Sequence, residues 1–341
     1  MSNVTLGQTG ITVNKNGFGA LPIQRITQEE AVNLIRMAYD GGIRFFDTAR
    51  FYTDSEVKLG IAFFGMRDKV YIASKTAAEN VNTFWEHLNT TLENLKTSYL
   101  DIYQFHNLPF VPVKDDGTGL YEAMLEAKQK GMIKHIGITT HSLVRAKEII
   151  ASGLYETIQF PFSYLATEKD VEIVKLAKES GMGFIAMKAL SGGLINNSAA
   201  AYCYLDGYDN VLPIWGVQRQ SELLEFLSYV NNPPVMTKEL EAVIEKDRKE
   251  LSGDFCRGCG YCMPCPKGIE INNCARMALM LRRAPSSLQL TKEMQDKMMK
   301  IKECIKCNKC KSKCPYGLDT PRLLSENLQD YLEVLSGKSI N

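Results

Sequence analysis

Eight cysteines towards the end of the chain are the strongest chemical signal in its sequence. They form two runs, Cys256-x2-Cys259-x2-Cys262-x2-Cys265-Pro266 and Cys304-x2-Cys307-x2-Cys310-x3-Cys314-Pro315. Thiolates at positions i, i+3 and i+6 of a tight turn can converge on three irons of a cubane, while a fourth cysteine followed by proline often serves the neighbouring cluster. Eight thiolates therefore suffice for two 4Fe-4S clusters.

The second run is similar to the iron-sulfur ligand pattern of bacterial ferredoxins. The two runs also resemble each other beyond their cysteines, because Cys265-Pro-Lys-Gly-Ile-Glu-Ile corresponds to Cys314-Pro-Tyr-Gly-Leu-Asp-Thr. Two zinc sites with four thiolates each are the alternative, which the close spacing and the Cys-Pro endings disfavour. The cross-run assignment of the two fourth cysteines stays open.

Cys203 and Cys274 lie outside both runs, and we interpret them as buried structural thiols. Cys274 is near enough to the first run to remain an alternative ligand. Disulfides are not expected, because the sequence shows no secretory segment and no apolar run of membrane-spanning length. We therefore expect a reducing cytoplasm, and exposed clusters would suit an anaerobe best.

The composition of the 341-residue chain allows a barrel and an appended domain, with 45% hydrophobic residues to fill a large core. A formal net charge of +1 gives no reason to expect nucleic acid or a membrane surface as a partner. A lysine group nevertheless surrounds the second cysteine run. Such a group is either a solvated surface or a means of raising a cluster's potential and attracting an acidic electron-transfer partner. Its members are Lys300, Lys302, Lys306, Lys309, Lys311 and Lys313.

Short apolar segments alternate with helical patterns over residues 1–230, and this alternation indicates parallel βα units. Eight units favour a closed (β/α)8 TIM barrel over an open doubly wound sheet. No Gly-x-Gly-x-x-Gly follows the first strand, so a Rossmann domain has little support. The predicted strands are 17–21, 44–47, 70–74, 100–105, 135–139, 157–160, 183–187 and 211–216.

Residues 4–13 are predicted to form a hairpin below the barrel, and Asn231-Asn232-Pro233-Pro234 is predicted to end its last helix. We therefore predict two domains, an α/β barrel over 1–230 and a helical linker with a small, mostly α-helical, ferredoxin-like two-cluster domain over 231–341. Helices are predicted over 31–39, 146–151, 237–251, 274–283, 291–300 and 321–335.

Four polar residues fall at successive strand ends, where a barrel of this type places its active site. Asp47, Lys75 and His106 end the second, third and fourth predicted strands, and Tyr52 follows Asp47 by five residues. An ammonium beside a phenol favours the phenolate and lowers the pKa of the tyrosine. Lys75 is expected to do this to Tyr52, with Asp47 holding the lysine and His106 orienting a carbonyl oxygen.

Taken together, four motifs resemble the aldo-keto reductases over roughly the first 230 residues. They are Phe46-Asp47-Thr48-Ala49-x-x-Tyr52, Ser55-Glu56 with Leu59-Gly60, Ala73-Ser74-Lys75, and Tyr99-Leu100-Asp101-Ile102-Tyr103-Gln104-Phe105-His106. The resemblance implies an NAD(P)H-dependent oxidoreductase of small carbonyl or alcohol substrates, with Tyr52 as general acid. The cysteine-rich end is similar to that of an iron-sulfur subgroup of the family.

The same resemblance assigns coenzyme contacts, some of them altered. Thr139-Thr140-His141 stands where the family has Ser-Asn to hold the nicotinamide carboxamide, whereas the carboxamide-binding Gln159 is intact. Lys188 replaces an aromatic residue and is assigned to the pyrophosphate. Gly216, Gln218, Arg219 and Ser221 belong to the adenosine-phosphate segment, with Arg219 the candidate for a 2'-phosphate contact. NADPH is favoured over NADH, and a flavin remains open.

Two functional hypotheses follow from these residues. In the first, a carbonyl-reducing barrel carries clusters that either exchange electrons, for example with a ferredoxin or flavoprotein partner, or are structural. In the second, the chain is a ferredoxin-like electron-transfer protein whose barrel does not reduce carbonyls. The intact set of four polar residues favours the first hypothesis, and the altered nicotinamide contacts favour the second.

Overall fold

The computed structural model describes residues 2–251, 255–283 and 286–340. The chain divides into two compact units. The first comprises Met1–Ala189 with Ser198–Leu240, and the second comprises Leu190–Asn197 with Glu241–Asn341. Within the described residues, no helix combines the length and the apolar character needed to cross a bilayer.

An antiparallel hairpin opens the first unit, as predicted. Its strands are β1 (Asn3–Thr5) and β2 (Thr12–Asn14). The hairpin side chains Val4, Leu6, Ile11 and Val13 are buried in one cluster with Phe45 and other residues near the beginnings of the barrel strands. The hairpin therefore closes the amino-terminal end of the barrel, away from the strand ends that carry the candidate catalytic residues.

Eight parallel strands close into a barrel in the order β10-β3-β4-β5-β6-β7-β8-β9, which confirms the predicted (β/α)8 fold. All eight strands occur where the alternation of apolar and helical segments predicts them. The barrel strands are β3 (Gly17–Gly19), β4 (Phe45–Asp47), β5 (Tyr71–Thr76), β6 (Leu100–His106), β7 (Ile133–Thr139), β8 (Thr157–Pro161), β9 (Gly183–Met187) and β10 (Val211–Gly216).

Helices follow the strands and cover the barrel. Local sequence sets their beginnings: Thr27 and Thr167 each start a capping box, in which the threonine side chain accepts a backbone N–H and an acidic side chain reaches back. The helices of this unit are α1 (Gln28–Asp40), α2 (Ser55–Ala62), α3 (Val81–Asn94), α4 (Leu120–Gln129), α5 (Leu143–Ser152), α6 (Glu168–Glu179), α7 (Ser198–Asp206) and α8 (Gln220–Asn231).

Strand register brings the predicted site residues to one edge of the barrel. Lys75 pairs with Gln104 across β5 and β6, while His106 pairs with Thr139 across β6 and β7. Thr139 in turn pairs with Gln159 of β8. Because neighbouring parallel strands end at the same edge, these side chains occupy one rim, which is where TIM barrels place their chemistry.

The second unit is mostly helical, as predicted. Its long helix α15 (Thr320–Leu335) buries Leu323, Leu324 and Tyr331 in a core that also contains Cys256, Cys262 and Cys274. The other helices are α9 (Lys238–Glu250, whose first residues belong to the first unit), α10 (Ile271–Cys274), α11 (Met277–Arg283), α12 (Ser286–Gln289), α13 (Lys292–Met299) and α14 (Lys309–Ser312).

The prediction of one continuous helix over 274–283 is wrong. The chain forms α10 up to Cys274 and a separate α11 from Met277. The side chain of Asn327 in α15 explains the interruption, since it accepts from the Ala278 N–H at 2.8 Å and donates to the Ala275 carbonyl at 3.2 Å. A distant amide thus satisfies backbone groups near the break, which local periodicity does not reveal.

Candidate active site and cluster sites

A buried ion pair forms the base of the candidate active site. The Lys75 ammonium lies 2.6 Å from Oδ2 of Asp47 and donates to the Thr48 carbonyl at 2.6 Å. Lys75 is 1% exposed and Asp47 is 2% exposed, so the pair is shielded from water. The side chain of Gln104 lies 3.5 Å from the second carboxylate oxygen.

Tyr52 and His106 lie over this pair. The Lys75 ammonium is 5.1 Å from the centroid of the Tyr52 ring, and the Tyr52 and His106 rings lie edge to face with centroids 6.0 Å apart. The turn after β4 positions the tyrosine, because the Tyr52 N–H binds the Ala49 carbonyl and its own carbonyl accepts from Ser55 at the start of α2. The structure therefore brings all four predicted residues together.

The protonation of Tyr52 differs from the sequence-based expectation. Burial, together with the negative charge of Asp47, raises the pKa of the phenol instead of lowering it. Asp47 lies so close to Lys75 that its charge offsets that of the ammonium at the phenol. Burial also raises the pKa of Asp47 and lowers that of Lys75, and the attraction between the two partly opposes both shifts. Tyr52 is accordingly a neutral proton donor over the ordinary pH range.

Two histidines at the same rim are uncharged. Burial and the Lys75 charge lower the pKa of His106 to about 3. His106 Nδ1 is buried and has no hydrogen-bond partner among the described residues. Burial, with Lys188 and His106 nearby, also lowers the pKa of His141 well below its ordinary value. The rim therefore offers neutral imidazoles, which can each donate one N–H and accept one hydrogen bond.

The residues assigned to the nicotinamide carboxamide present unsatisfied groups at the same edge. Oγ1 of Thr139 and Oε1 of Gln159 are buried without a partner in the described part of the chain. The Gln159 side chain also stabilises the charged form of Asp47. Oγ1 of Thr140 accepts instead from the Ser142 N–H at 3.1 Å. Lys188, just after β9, has a left-handed backbone with φ of 57° and acts electrostatically on His141. A carboxamide with donors and an acceptor fits the two unsatisfied oxygens.

The predicted adenosine-phosphate segment lies at the beginning of α8. Gly216 ends β10, while Gln218, Arg219 and Ser221 lead into the helix. An unpredicted residue, Glu222, dominates the contacts there: its carboxylate binds the Arg219 guanidinium and accepts from the backbone N–H groups of Gln218 and Arg219. The available sequence signal was an acidic residue at the third position of α8, where its side chain can accept from the backbone N–H at the helix start.

The eight cysteines of the two runs surround two cavities in the second unit. Cys256, Cys259, Cys262 and Cys314 line the first cavity. Cys304, Cys307, Cys310 and Cys265 line the second, which Cys262 also borders. The fourth cysteine of each run thus faces the other run's cavity, as in two-cluster ferredoxins. Each set therefore supplies the number and type of ligands that a cubane needs.

The two ligand loops share a left-handed backbone conformation at equivalent positions, although the residues there differ. In the first loop Gly258 and Gly260 have φ of 63° and 81°, and in the second Lys306 and Asn308 have φ of 51° and 59°. Left-handed residues turn successive N–H groups towards one side, which suits a negatively charged cluster. The Gly258 N–H is already 3.4 Å from the Cys256 sulfur. A lysine in this conformation is strained, so the second loop has a cost that the first avoids.

The pKa of Cys262 and the positions of Cys274 and Cys203 are consistent with these two sets of four cysteines. Burial and the neighbouring sulfurs of Cys256, Cys259 and Cys314 raise the pKa of Cys262 to about 12. Such a thiol needs a metal to become a ligand thiolate. Cys274 lines neither cavity: it is fully buried, and its sulfur lies 3.7 Å from the Lys297 carbonyl. Cys203, in α7, lies 3.2 Å from the Pro234 carbonyl.

A site for a single metal ion is not found among the described residues. Among the described residues, no group of three or more His, Cys, Asp and Glu side chains lies where it could hold one metal ion. All ten cysteines are described, and none forms a disulfide.

The two cavities differ in their exposure. Cys256 and Cys262 of the first set are each 8% exposed, and Tyr316 covers part of that cavity. In the second set Cys307 is exposed, and the adjacent Ile305 is 58% exposed. The six lysines that surround this run in the sequence are all exposed. Within the described part of the chain, Lys311 is the one of the six that forms an ion pair, with Asp319 at 2.9 Å.

Comparison with known proteins gives two family matches. Residues 15–202 match the aldo/keto reductase family, and residues 255–319 match a 4Fe-4S dicluster domain. The chain is 27% identical over 260 residues to aldo-keto reductase YhdN of Bacillus subtilis, which covers 70% of this chain and 76% of that protein. It is 28% identical over 212 residues to L-galactose dehydrogenase of Arabidopsis thaliana, covering 56% of this chain and 66% of that one.

Solved structures share the barrel fold. Aldo-keto reductase AKR11C1 from Bacillus halodurans, in its holo form, superposes with a TM-score of 0.64 at 21% identity, covering 72% of this chain and 96% of that one. An aldo-keto reductase from Klebsiella pneumoniae in complex with NADPH gives a TM-score of 0.62 at 18% identity, with coverage of 72% and 94%.

Proposed function

The chain belongs to the aldo/keto reductase family, and we propose that it interconverts small carbonyl compounds and alcohols with a nicotinamide dinucleotide as coenzyme. The observation that carries this proposal is the arrangement of Tyr52 and His106 over the buried pair of Lys75 and Asp47. A neutral proton donor, a neutral hydrogen-bonding imidazole and a fixed ammonium at one rim match what carbonyl reduction requires.

The rim also supports coenzyme binding. Thr139 and Gln159 would hold the carboxamide through their unsatisfied oxygens, Lys188 would contact the pyrophosphate, and the segment from Gly216 to Ser221 would bind the adenosine portion. When bound, the nicotinamide would supply a hydride to the carbonyl carbon or accept one from the alcohol carbon. The protein's own residues have to bind the substrate oxygen and move one proton.

Tyr52 would donate that proton from its phenol to the substrate oxygen. The raised pKa of Tyr52 does not prevent this step, because the alkoxide formed by reduction is a stronger base than a phenolate. His106, uncharged above a pH of about 3, would orient the same oxygen by a hydrogen bond. Lys75 and Asp47 would stabilise the phenolate left behind and hold it in place. Alcohol oxidation would run the same proton in reverse.

The second unit supports binding of two 4Fe-4S clusters. We assign Cys256, Cys259, Cys262 and Cys314 to one cluster and Cys304, Cys307, Cys310 and Cys265 to the other. When bound, such clusters would carry single electrons. The protein holds their thiolate ligands, partly shields the first set and leaves the second near the surface.

The exposed second set supports an electron-transfer role for the clusters with an acidic partner. Lys302, Lys306 and Lys309 lie around the exposed Cys307, and Ile305 adds an apolar contact among them. Positive charge attracts an acidic single-electron carrier, such as a ferredoxin or a flavoprotein, and speeds its encounter.

Nucleotide titration tests the proposal directly. The protein is purified anaerobically with its clusters and titrated with NADH and with NADPH, while the intrinsic fluorescence of its tryptophans and tyrosines is followed. Saturable binding of at least one nucleotide, together with turnover of a panel of aldehydes and ketones, is the expected result. If neither nucleotide binds while iron content is complete, the barrel is not a reductase and the electron-transfer hypothesis takes its place.

A further inference from the structure

The carboxylate of Glu222 occupies the donor groups at the start of α8. Oε2 accepts from the backbone N–H groups of Gln218 and Arg219, each at 3.0 Å. Oε1 accepts from Nε and Nη2 of Arg219 at 2.8 and 2.5 Å. One carboxylate therefore receives four hydrogen bonds from two residues of the segment assigned to the adenosine phosphate.

This set of donors is the kind that binds a phosphate. Backbone N–H groups at a helix start favour an anion, and a guanidinium fork binds two phosphate oxygens at once. Arg219 is also the residue that the sequence assigns to the 2'-phosphate of NADPH. In this chain an internal carboxylate takes the position of that anion. A 2'-phosphate that used these same donors would have to displace Glu222, and one bound beside them would meet its negative charge.

We infer that Glu222 sets the coenzyme preference of this chain, favouring NADH and opposing NADPH. The ribose of NADH has an uncharged 2'-hydroxyl, which can donate a hydrogen bond to a carboxylate, as the acidic residue of NAD-binding dinucleotide folds does. NADPH gains less from Arg219 while Glu222 holds the Nε and Nη2 groups of its guanidinium. This inference reverses the NADPH preference expected from Arg219 alone, and it rests on the proposed function.

Replacement of Glu222 by glutamine tests the effect of its negative charge on coenzyme preference. Glutamine is nearly isosteric and keeps one acceptor oxygen, which can still accept from the backbone N–H groups of Gln218 and Arg219 at the start of α8. The variant removes the negative charge and loosens the hold on Arg219. Glu179→Gln is the matched control, because it removes the same charge from the exposed end of α6, at the opposite end of the barrel from the start of α8.

The experiment measures dissociation constants of NADH and NADPH for the anaerobically purified full chain, its Glu222→Gln variant and the control. We expect the unaltered chain to bind NADH at least about tenfold more tightly than NADPH, since contact between two anions costs about one to several kcal/mol. In Glu222→Gln the ratio should shift towards NADPH by about tenfold or more. The control should keep the original ratio.

Three outcomes would overturn this inference while leaving the proposed function intact. One is equal or tighter binding of NADPH by the unaltered chain, another is an unchanged ratio in Glu222→Gln, and the third is the same shift in Glu179→Gln. Competition by 2'-AMP and 5'-AMP gives a readout independent of turnover, because only the former has the phosphate that Glu222 opposes. Failure of every nucleotide to bind would instead contradict the proposed function itself.

Discussion

The Lys75 ammonium and the Asp47 carboxylate form a 2.6 Å ion pair with almost no contact with water. Such a pair is asymmetric in its energetics: the intact pair adds little net stability, but a single partner left alone is an uncompensated buried charge. The pair is therefore expected to affect both the stability of the barrel and its activity. Substitutions of one or both residues can separate these two effects.

Asp47→Asn leaves Lys75 buried without its counter-charge. We expect the free energy of unfolding to fall by about 3–5 kcal/mol and carbonyl reduction to fall by about 10²-fold or more. The double variant Asp47→Asn with Lys75→Met should recover most of the stability but none of the activity. Anaerobic denaturant titration and steady-state kinetics provide the two measurements. A double variant as unstable as Asp47→Asn would contradict the ion-pair explanation.

Tyr52→Phe removes the proposed proton donor and keeps the ring. Carbonyl reduction should fall by at least about 10²-fold, while the dissociation constant of the nucleotide should stay within about twofold of its original value. Tyr71→Phe, at the amino-terminal beginning of β5, is the control and should leave both quantities unchanged. Turnover retained in Tyr52→Phe would refute the assignment of Tyr52 as the acid.

The raised pKa of Tyr52 predicts opposite pH profiles for the two directions of reaction. Reduction needs the neutral phenol, which stays fully populated as pH rises to about 10, so its kcat/KM should be flat there. Oxidation needs the phenolate, whose small fraction grows about tenfold per pH unit below the pKa, so its rate should climb throughout. His106 should add no step between pH 5 and 8, since its pKa is lowered to about 3. A reduction rate that halves near pH 8 would point to a lowered phenol pKa.

The fourth cysteine of each run lines the other run's cavity, so the structure predicts which cysteine variants lose the same cluster. Cys314→Ala should lose the same cluster signal as Cys259→Ala, and Cys265→Ala the same signal as Cys307→Ala. Iron and sulfide analysis with electron paramagnetic resonance of the reduced protein measures this. Cys274→Ala and Cys203→Ala are controls with iron content expected to be complete. If Cys314→Ala instead matched Cys307→Ala, each run would serve its own cluster.

Charge reversal at the exposed lysines tests the partner surface. Lys306→Glu with Lys309→Glu should slow reduction of the clusters by a reduced acidic ferredoxin or flavodoxin by about tenfold or more at low ionic strength. High salt should remove most of the difference, because it screens exposed charges. Lys169→Glu with Lys238→Glu changes the net charge equally at other exposed positions and should have little effect. Equal slowing by both pairs would rule out a local docking surface. Stopped-flow absorbance follows the electron transfer.

The sequence predicts the barrel and the rim well because both depend on local patterns. Each strand is a short apolar segment between helical periods, and strand ends in a parallel barrel meet at one edge whatever the loops do. Asp47, Lys75 and His106 could therefore be placed from spacing alone. The proposed cluster ligands could also be identified from the sequence, since cysteine spacing reflects the geometry of a tight turn.

What the sequence did not predict depends on contacts between distant residues or on the sum of charges. The break near Ala275 requires Asn327, about fifty residues later, to satisfy the backbone. The direction of the Tyr52 pKa shift depends on burial and on how far Asp47 offsets Lys75. The capture of Arg219 by Glu222 depends on side-chain conformation at the start of α8. None of these three features produces a periodic pattern in the sequence.

The exchange of Cys265 and Cys314 also bears on how the protein is made. The ribosome completes the first run well before Cys314 emerges, so the first cavity lacks one of its four sulfurs until Cys314 has been synthesised. Iron delivered earlier would meet only part of a ligand set. Loading of the first cavity is therefore expected to follow translation as far as Cys314, and a chain cut between Cys310 and Cys314 should keep four sulfurs in the second cavity but only three in the first.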